Sequence, residues 1–312
     1  MMTPRRARVC VLGSANMDLV VTVDRAPKLG ETVTGRIFAQ IPGGKGANQA
    51  LAAARAGGHV RMIGAVGDDA FGQQIRAVLE ADGVDTTGLL VVDEPTGTAH
   101  IVVDADGENS IVVVPGANGS MRSLTDDHRE MISTSDVLLL QLELPSGIVN
   151  QAATWGAEQG TRVVLTPAPV APVSDDQLLA IDLLVPNEHE AAQLTGHDNV
   201  QTAAHMLLSR GVGAVAVTMG RRGCFYADGS GVIEVPARGV PAIDTTAAGD
   251  TFVATLTVAL AEGRALRESL DWATAAAAIS VQRPGASTSM PYRPEIDALV
   301  ANTNPPAGDR VP

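Results

Sequence analysis

The chain has 312 residues, of which 45% are hydrophobic and 18% are charged, a balance that supplies a sizeable core and excludes a chain that is disordered throughout. Its 22 basic and 35 acidic residues give a formal net charge of −13, so it lacks the basic surface that duplex nucleic acid or an anionic membrane requires. Two cysteines are too few for a disulfide framework, and the six histidines show no zinc-ligand spacing.

The hydropathy pattern argues against a membrane span and a secretory segment. No apolar run reaches the roughly 18 residues that a spanning helix needs. The basic N-terminus is followed by an apolar stretch that breaks at once at Gly13, Asn16 and Asp18, unlike a secretory segment. We therefore expect a cytoplasmic protein.

Most of the chain alternates short apolar runs with helical patterns. The runs predict strands over residues 8–12, 19–23, 60–66, 136–142, 162–165, 182–185 and 214–218. Helices are predicted at about 48–56, 70–81, 124–132, 145–159, 201–209, 248–261 and 266–281. Continuous apolar strands separated by helices are typical of a parallel sheet covered on both faces. The pattern predicts an α/β fold with a doubly wound, mostly parallel sheet flanked by helices.

One region departs from this alternation. Residues 98–104 and 108–114 form two strand-like runs joined by an Asp-Ala-Asp-Gly turn, which predicts a hairpin. With the stretch over 20–35 it predicts a small antiparallel sheet outside the main one. Segments of about 16–40 and 96–115 could thus form a β lid, a dimerisation flap or a plain surface hairpin. Without an interdomain linker, we expect one domain over 1–300 and a C-terminal tail over 301–312.

A glycine cluster at the start of a predicted helix is the first candidate site. Gly43 and Gly44 precede Lys45, one of only two lysines in the chain, and Asn48 follows. Glycines let a ligand approach the backbone, and a helix N-terminus offers unpaired N–H donors. A tight turn with a solvated lysine fits the same pattern. The chain has no P-loop, dinucleotide-binding or nucleophile-elbow motif.

Three small residues before a carboxylate form the second candidate site. Ala247, Ala248 and Gly249 leave consecutive N–H groups bare at the head of a helix, where they could stabilise charge on a transferred phosphoryl group. Asp250 could there accept a proton from an attacking hydroxyl. An ordinary helix start with a favourable acidic residue is the alternative.

Polar residues after three predicted strands complete the candidates. Asn187 and Glu190 share one face of a first helical turn and could hold hydrated Mg²⁺, or form an N-cap with a capping-box glutamate. Asn16 and Asp18 could bridge neighbouring sugar hydroxyls, or be turn residues. Glu143 follows a buried strand, at the sheet edge where open α/β proteins bind ligands.

Together these segments resemble the phosphofructokinase-B-type carbohydrate kinase family, from about Val9 to Leu299. Residues 43–50 (GGKGANQA) match a signature of its ribokinase branch, and residues 244–252 (DTTAAGDTF) match a signature general to the family. Residues 30–32, 107–109 with 115–118, and 186–188 fall in the expected order.

The resemblance implies transfer of the ATP γ-phosphoryl group to the 5-hydroxyl of D-ribose. Asp250 matches the catalytic base, and Ala247, Ala248 and Gly249 match the anion hole. The sugar-site positions are matched by Asn16, Asp18, Gly43, Gly44, Lys45, Asn48, Glu143 and Asp250. The nucleotide-site positions are matched by Asn187, Thr218, Gly220, Arg221, Arg222, Gly223, Gly249 and Thr274.

The same resemblance implies two cations and a dimer. Glu190 matches the position linked to Mg²⁺. A monovalent cation, usually K⁺, would bind beside the anion hole, mostly through backbone carbonyls, at positions matched by Asp244, Thr246, Ser280, Arg283, Gly285 and Ser289. The β lid would form part of a homodimer interface.

One residue departs from the family pattern, and two other functions stay open. Thr274 stands where ribokinases often carry His or Asn near the adenine, and threonine cannot stack on a base. The acceptor could be another sugar or a nucleoside, although only 3% of residues are aromatic. A non-catalytic sugar-binding protein on the same fold is the remaining alternative.

Overall fold

The computed structural model of the protein describes residues 5–303, and a nine-stranded sheet forms the centre of its fold. The strands of the described chain are β1 (Arg8–Leu12), β2 (Asn16–Thr22), β3 (Ile37–Gly43), β4 (His59–Gly67), β5 (Asp85–Val92), β6 (Gly97–Val103), β7 (Asn109–Val114), β8 (Val137–Leu140), β9 (Arg162–Leu165), β10 (Leu183–Leu184), β11 (Ala214–Thr218), β12 (Cys224–Asp228) and β13 (Gly231–Val235). The central sheet has the order β13-β12-β11-β10-β9-β8-β1-β4-β5.

Helices connect most of these strands. They are α1 (Lys45–Arg55), α2 (Ala70–Ala81), α3 (Ala117–Ser120), α4 (Asp126–Ser133), α5 (Ser146–Gln159), α6 (Asp175–Leu178), α7 (Glu188–Thr195), α8 (Val200–Ser209), α9 (Ala248–Ala261), α10 (Leu266–Ser280) and α11 (Arg293–Thr303). A 3₁₀ turn, Gly220–Arg222, follows β11. None of the helices within residues 5–303 is both long and apolar enough to cross a bilayer.

The central sheet is parallel from β11 to β5, and β12 and β13 add an antiparallel edge. β1 shows why both faces are covered. Val9 and Val11 belong to one buried cluster, with helices α1, α9 and α10, whereas Cys10 and Leu12 belong to the other, with α5 and α8. Successive side chains of a strand point to opposite faces, so an uninterrupted apolar strand needs a layer on each side. The predicted α/β fold class is confirmed.

A second sheet, here called the small sheet, has the order β3-β2-β6-β7. β6 and β7 form the predicted antiparallel hairpin, and β2 and β3 pair antiparallel. The central pair of the small sheet, β2 with β6, is parallel. This sheet carries several half-exposed apolar side chains, among them Phe38 at 59% and Val112 at 65%.

Five predicted elements have the bounds that the structure gives, and others differ. Strands β1, β9 and β11 and helices α2 and α9 begin and end as predicted. Strand β5, the β12–β13 hairpin and helix α11 were not among the predicted elements. Helix α11 continues to Thr303, so the predicted tail begins inside a helix, and the rest of it lies outside the described residues. A single domain over 1–300 stays a prediction.

Candidate active site

The glycine turn before α1 packs directly against the end of β1. Gly44 has a φ of 89°, a backbone conformation that favours glycine. A Cβ on Gly46 would lie 2.6 Å from the Cα of Gly13, so a side chain at Gly46 would clash with the backbone after β1. This close approach brings Lys45 and Asn48 beside the residues that follow β1.

Glu143 lies between these two backbone segments. Its Oε2 accepts a hydrogen bond of 3.0 Å from the Lys45 amide, and it also accepts one from the Ser14 hydroxyl. On the neighbouring strand, the Asn16 side-chain oxygen accepts a 2.7 Å bond from Asn118 Nδ2. Ser14 and Asn118 were not predicted as site residues. Both hold the predicted sugar-site residues by polar contacts that only the folded chain brings together.

The register of β2 and β3 places Asp18 beside the glycine turn. A Cβ on Gly43 would lie 2.3 Å from Asp18 Oδ2, so the glycine leaves room for this carboxylate. Burial, reinforced by the negative charges of Glu143 and Asp250, raises the pKa of Asp18 to about 7, and Lys45 opposes the shift. A carboxylate held in this state is poised to change its charge near neutral pH.

Lys45 is surrounded by carboxylates. Burial disfavours its charged form, but Asp250, Glu143, Glu190 and Asp18 together outweigh burial and raise the pKa of Lys45. The ammonium is therefore charged at neutral pH, and it supplies positive charge to an otherwise acidic corner.

Asp250 is buried at the start of α9, with 7% of its surface exposed. Gln49 Nε2 donates a 3.0 Å bond to its Oδ1, and Asn48 Nδ2 donates a 3.4 Å bond to its Oδ2. Burial raises the pKa of Asp250, while the charge of Lys45 and the bond from Gln49 oppose that rise. The carboxylate is thus oriented by two amides and placed near a cation, as a general base requires.

The residues before Asp250 expose their backbone. Ala247 has a φ of 56°, the left-handed conformation that alanine adopts only when its surroundings enforce it. The Ala248 amide makes one long bond of 3.3 Å to the Thr245 carbonyl. Ala248 and Gly249 line a cavity, so the N–H groups at the head of α9 face space where an anion can bind.

That cavity has a volume of about 580 Å³ and brings the two halves of the predicted nucleotide site together. Its lining includes seven of the eight predicted nucleotide residues, namely Asn187, Thr218, Gly220, Arg221, Gly223, Gly249 and Thr274. Arg222 is not part of the lining; it forms an ion pair with Glu188 instead. The wall beside Thr274 is apolar and consists of Ala277, Ala278 and Val281.

Glu190 is bonded to Asn187, which lines the cavity, and its charge acts on Lys45. It forms the capping box of α7: Glu190 N donates to Asn187 Oδ1 and Asn187 N donates to Glu190 Oε2, both at 2.8 Å. Burial raises the pKa of Glu190, the Asn187 amide and Lys45 oppose the shift, and Asp250 adds to it. The capping-box interpretation of this pair is therefore confirmed, whereas the magnesium interpretation stays a prediction. The Glu190 carboxylate also lies within electrostatic range of Asp250.

The described residues suit a magnesium ion that arrives with a nucleotide. No group of three or more His, Cys, Asp or Glu side chains within residues 5–303 is arranged to hold a metal. Mg²⁺ commonly keeps several waters and is held by one or two carboxylates together with substrate phosphates. A single carboxylate such as Glu190 fits that pattern.

The predicted potassium residues lie on two loops that Asp244 joins. Its carboxylate accepts bonds of 2.9 Å from the Thr246 amide and 2.8 Å from the Gly285 amide. Burial acts to raise the pKa of Asp244, but these bonds outweigh it and lower the pKa. The Arg283 side chain pairs with Glu295, and the Ser280 and Ser289 hydroxyls donate to helix and loop carbonyls.

Comparison with known proteins places this geometry in a family. The profile described as pfkB family carbohydrate kinase matches residues 6–293, nearly all of the described chain. The chain belongs to this family. The family resemblance read from residues 43–50 and 244–252 is therefore confirmed.

Several of the relatives that the chain matches are ribokinases. It is 42% identical to a ribokinase of Bacillus subtilis over 94% of its own length and 99% of the relative's. It is similar to the crystal structure of a Thermotoga maritima ribokinase, with a TM-score of 0.89, 37% identity and coverage of 95% and 100%. It also resembles the structure of Arabidopsis thaliana ribokinase complexed with ribose and ATP, with a TM-score of 0.90, 35% identity and coverage of 95% and 99%.

Proposed function

We propose that this protein transfers the γ-phosphoryl group of ATP to the 5-hydroxyl of D-ribose, giving D-ribose 5-phosphate and ADP. One observation carries the proposal. Asp250 is bonded to Asn48 of the lysine-bearing turn, while its neighbour Gly249 lines the 580 Å³ cavity. The Asp250 carboxylate therefore lies between the proposed sugar site and the cavity proposed for the nucleotide.

The acceptor side binds and orients the sugar in this proposal. Asn16, Asp18 and Glu143 offer oxygens and an amide to neighbouring hydroxyls, and Lys45 and Asn48 offer donors. Asp250 takes the proton of the 5-hydroxyl as its oxygen attacks the γ-phosphorus, so that the new O–P bond forms while the bond to ADP breaks. Positioning of this kind is the main contribution that a protein makes to phosphoryl transfer.

The donor side neutralises the charge that moves. The amides of Ala247, Ala248 and Gly249 would hold the equatorial oxygens of the transferring group, and the long bond from Ala248 to Thr245 is readily given up. Arg221 and Asn187 would contact the nucleotide at the mouth of the cavity, and Thr274 would lie beside the base. Preorganised donors stabilise developing charge efficiently because they need no reorganisation at the moment of transfer.

Two cations belong to the proposal. Glu190 would hold Mg²⁺ together with the nucleotide, and the ion would neutralise phosphate charge during transfer. K⁺ would be held by the backbone around Asp244, Thr246, Ser280, Arg283, Gly285 and Ser289. Asp244 would keep the two segments together, since its carboxylate accepts bonds from the amides of Thr246 and Gly285.

A homodimer formed through the small sheet is a further part of the proposal. Strand β7 is exposed along its whole length, with Ile111 and Val112 at 51% and 65%, and such apolar patches mark interaction surfaces. Val112→Glu should convert a dimer into a monomer in light scattering, while Glu108→Gln in the adjacent turn should not. A wild-type protein that is monomeric in light scattering would refute the proposed homodimer.

A cytoplasmic location completes the proposal. A kinase needs a compartment that supplies ATP with Mg²⁺ and receives the phosphorylated sugar. Fractionation of cells that make the protein at natural levels tests this point.

The experiment that tests the function is coupled ADP release. Ribose, fructose, deoxyribose and adenosine are compared at equal concentrations with ATP and Mg²⁺, with and without K⁺. Ribose should give the highest kcat/KM, and K⁺ should increase it. A higher kcat/KM with adenosine or fructose would identify that compound as the acceptor instead of ribose. No ADP release with any of the four compounds would refute the kinase function.

A further inference from the structure

Two buried glutamines form a chain of hydrogen bonds that ends on Asp250. Gln49 Nε2 donates to Asp250 Oδ1 at 3.0 Å, and Gln141 Nε2 donates to Gln49 Oε1 at 2.6 Å. Gln49 lies on α1, Gln141 follows β8, and Asp250 lies on α9. We propose that Gln49 is a positioning residue for Asp250 and that Gln141 fixes the orientation of Gln49; this inference rests on the proposed function, in which Asp250 is the base.

The chemistry of the three groups sets the direction of this chain. An ionised carboxylate only accepts hydrogen bonds, so Gln49 must turn its NH₂ group toward Asp250. Its carbonyl oxygen then faces Gln141, which must in turn present its own NH₂ group. Each amide thereby orients the next, and the last donor bond is delivered to one chosen oxygen of the carboxylate.

The burial of the two glutamines indicates a role beyond packing. Gln49 is 0% and Gln141 is 1% exposed, and burying an amide costs free energy unless its polar atoms are bonded. Gln141 Oε1 has no hydrogen-bond partner among the described residues. It lies against the backbone, since a Cβ on Gly13 would be 2.0 Å from it. An apolar side chain would fill this space at a lower cost in free energy. The hydrogen bonds to Gln49 and Asp250, and not packing, therefore account for the amides.

The geometry assigns different tasks to the two oxygens of Asp250. Oδ1 takes the shorter bond, from Gln49, while Oδ2 takes only the 3.4 Å bond from Asn48. Asn48 belongs to the proposed sugar site, so Oδ2 is the oxygen on the acceptor side. Gln49 thus holds the Asp250 carboxylate by Oδ1 and leaves Oδ2 to take the proton of the sugar hydroxyl.

The bond from Gln49 also favours the charged form of the base. Burial opposes ionisation of Asp250, whereas the charge of Lys45 and the hydrogen bonds from Gln49 and Asn48 favour it. The charges that face Asp250 are Lys45 from α1, Glu143 from the loop after β8, Asp18 from β2 and Glu190 from α7. Among the groups that stabilise the carboxylate, Gln49 can be replaced without changing any of these charges.

The test is the pH dependence of kcat, measured with saturating ribose and Mg²⁺–ATP, for Gln49→Met, Gln141→Met and wild type. Saturating ribose is needed because protonation of Asp18 would weaken sugar binding and enter kcat/KM. Gln49→Met should lower kcat by roughly tenfold to a hundredfold and move its acidic limb to higher pH. Gln141→Met should do the same to a smaller extent, because Gln49 keeps its bond but loses its orientation.

Two further variants keep the test decisive. Gln49→Glu preserves the shape but puts a second carboxylate beside Asp250, and it should shift the acidic limb at least as far as Gln49→Met. Thr257→Val removes a buried hydroxyl from α9 that has no partner among the described residues, and it should leave the limb unchanged. Melting curves show which variants fold.

The outcomes separate the inference from the function on which it rests. Folded Gln49 variants with the wild-type acidic limb, or a uniform loss of kcat at every pH, would overturn the positioning role. If wild-type protein releases no ADP with ribose, the proposed function fails instead, and that result appears before any variant is made.

Discussion

The two sides of the candidate site are built differently. On the acceptor side, the charge of Glu143 acts to raise the pKa of Asp18, Lys45 and Asp250, and hydrogen bonds from hydroxyl or amide groups hold the carboxylates of Glu143 and Asp250. On the nucleotide side, the cavity of about 580 Å³ has an apolar wall of Ala277, Ala278 and Val281, and side chains such as Asn187 and Arg221 line it elsewhere. The first is a dense network of charges, and the second is a cleft that combines an apolar wall with polar side chains.

This difference indicates where selectivity and catalysis reside. A site that hydrogen-bonds its ligand rejects analogues that leave its buried groups unpaired, whereas an apolar cleft discriminates weakly. Changes on the acceptor side should therefore have large effects that depend on pH. Changes to the polar and apolar side chains that line the nucleotide cavity should have smaller effects, mainly on the affinity for the nucleotide. Four predictions test this contrast.

Asp250→Asn should have the largest effect. It removes the proton acceptor but preserves shape, so kcat should fall by at least about a thousandfold while ribose binding, measured by calorimetry, changes little. Asp127→Asn, in the first turn of α4, is the matched control and should retain wild-type kcat. Near-normal turnover in Asp250→Asn would contradict the role of the base.

Asp18→Asn should weaken ribose binding and stabilise the fold. Loss of the carboxylate should raise the KM for ribose by at least about tenfold. The pKa of Asp18 is raised to about 7 from an ordinary value of 3.8, so between these values the folded protein binds a proton that the unfolded chain has released. The loss of folding free energy caused by ionising Asp18 therefore grows between about pH 4 and pH 7 and is complete above about pH 7.

The Tm of this variant should consequently exceed that of wild type by about 5 °C at pH 8, with the difference vanishing near pH 4. Asp106→Asn, in the exposed turn of the small sheet, should show no such pH dependence. An Asp18→Asn protein less stable than wild type at pH 8 would refute the assigned electrostatics.

Arg221→Ala and Arg222→Ala form a matched pair on the nucleotide side. Arg221 lines the cavity, whereas Arg222 is absent from the lining and pairs with the lining residue Glu188. The KM for ATP should rise about fivefold in the first variant and less than about twofold in the second. Equal effects would show that the second arginine also reaches the nucleotide.

Thr274→Ala should have the smallest effect. The Thr274 hydroxyl donates a 2.8 Å bond to the Leu270 carbonyl within α10, so its hydrogen is already engaged within the helix. The KM for ATP should change by less than about twofold. A larger increase would place a polar contact on this wall and weaken the contrast between the two sides.

Sequence patterns predicted the core and the candidate residues better than the contacts among them. The apolar runs of β1 and β11 predict their own ends because a buried strand needs continuous apolar residues. The β12–β13 hairpin was missed although residues 228–231 form a turn-like segment. For the small sheet, the stretch over 20–35 was predicted to pair, whereas β3 begins only at Ile37.

Long-range contacts explain what the sequence could not show. Gln49 lies inside the segment that resembles the family, but its partner Asp250 is 201 positions away. Ser14 and Asn118 likewise become site residues only when β1, α1 and α3 meet. Arg221 and Arg222 are adjacent in one short turn, and only the folded backbone determines which of them faces the cavity.

The most direct test is phosphorus NMR of wild-type protein mixed with ribose, ATP and Mg²⁺, beside the same mixture without ribose. If the buried carboxylate and the bare amides act on one sugar alcohol, a phosphomonoester coupled to the two C5 protons of ribose should grow as ATP declines. An ester on another carbon, or ATP loss that is equal without ribose, would contradict the account.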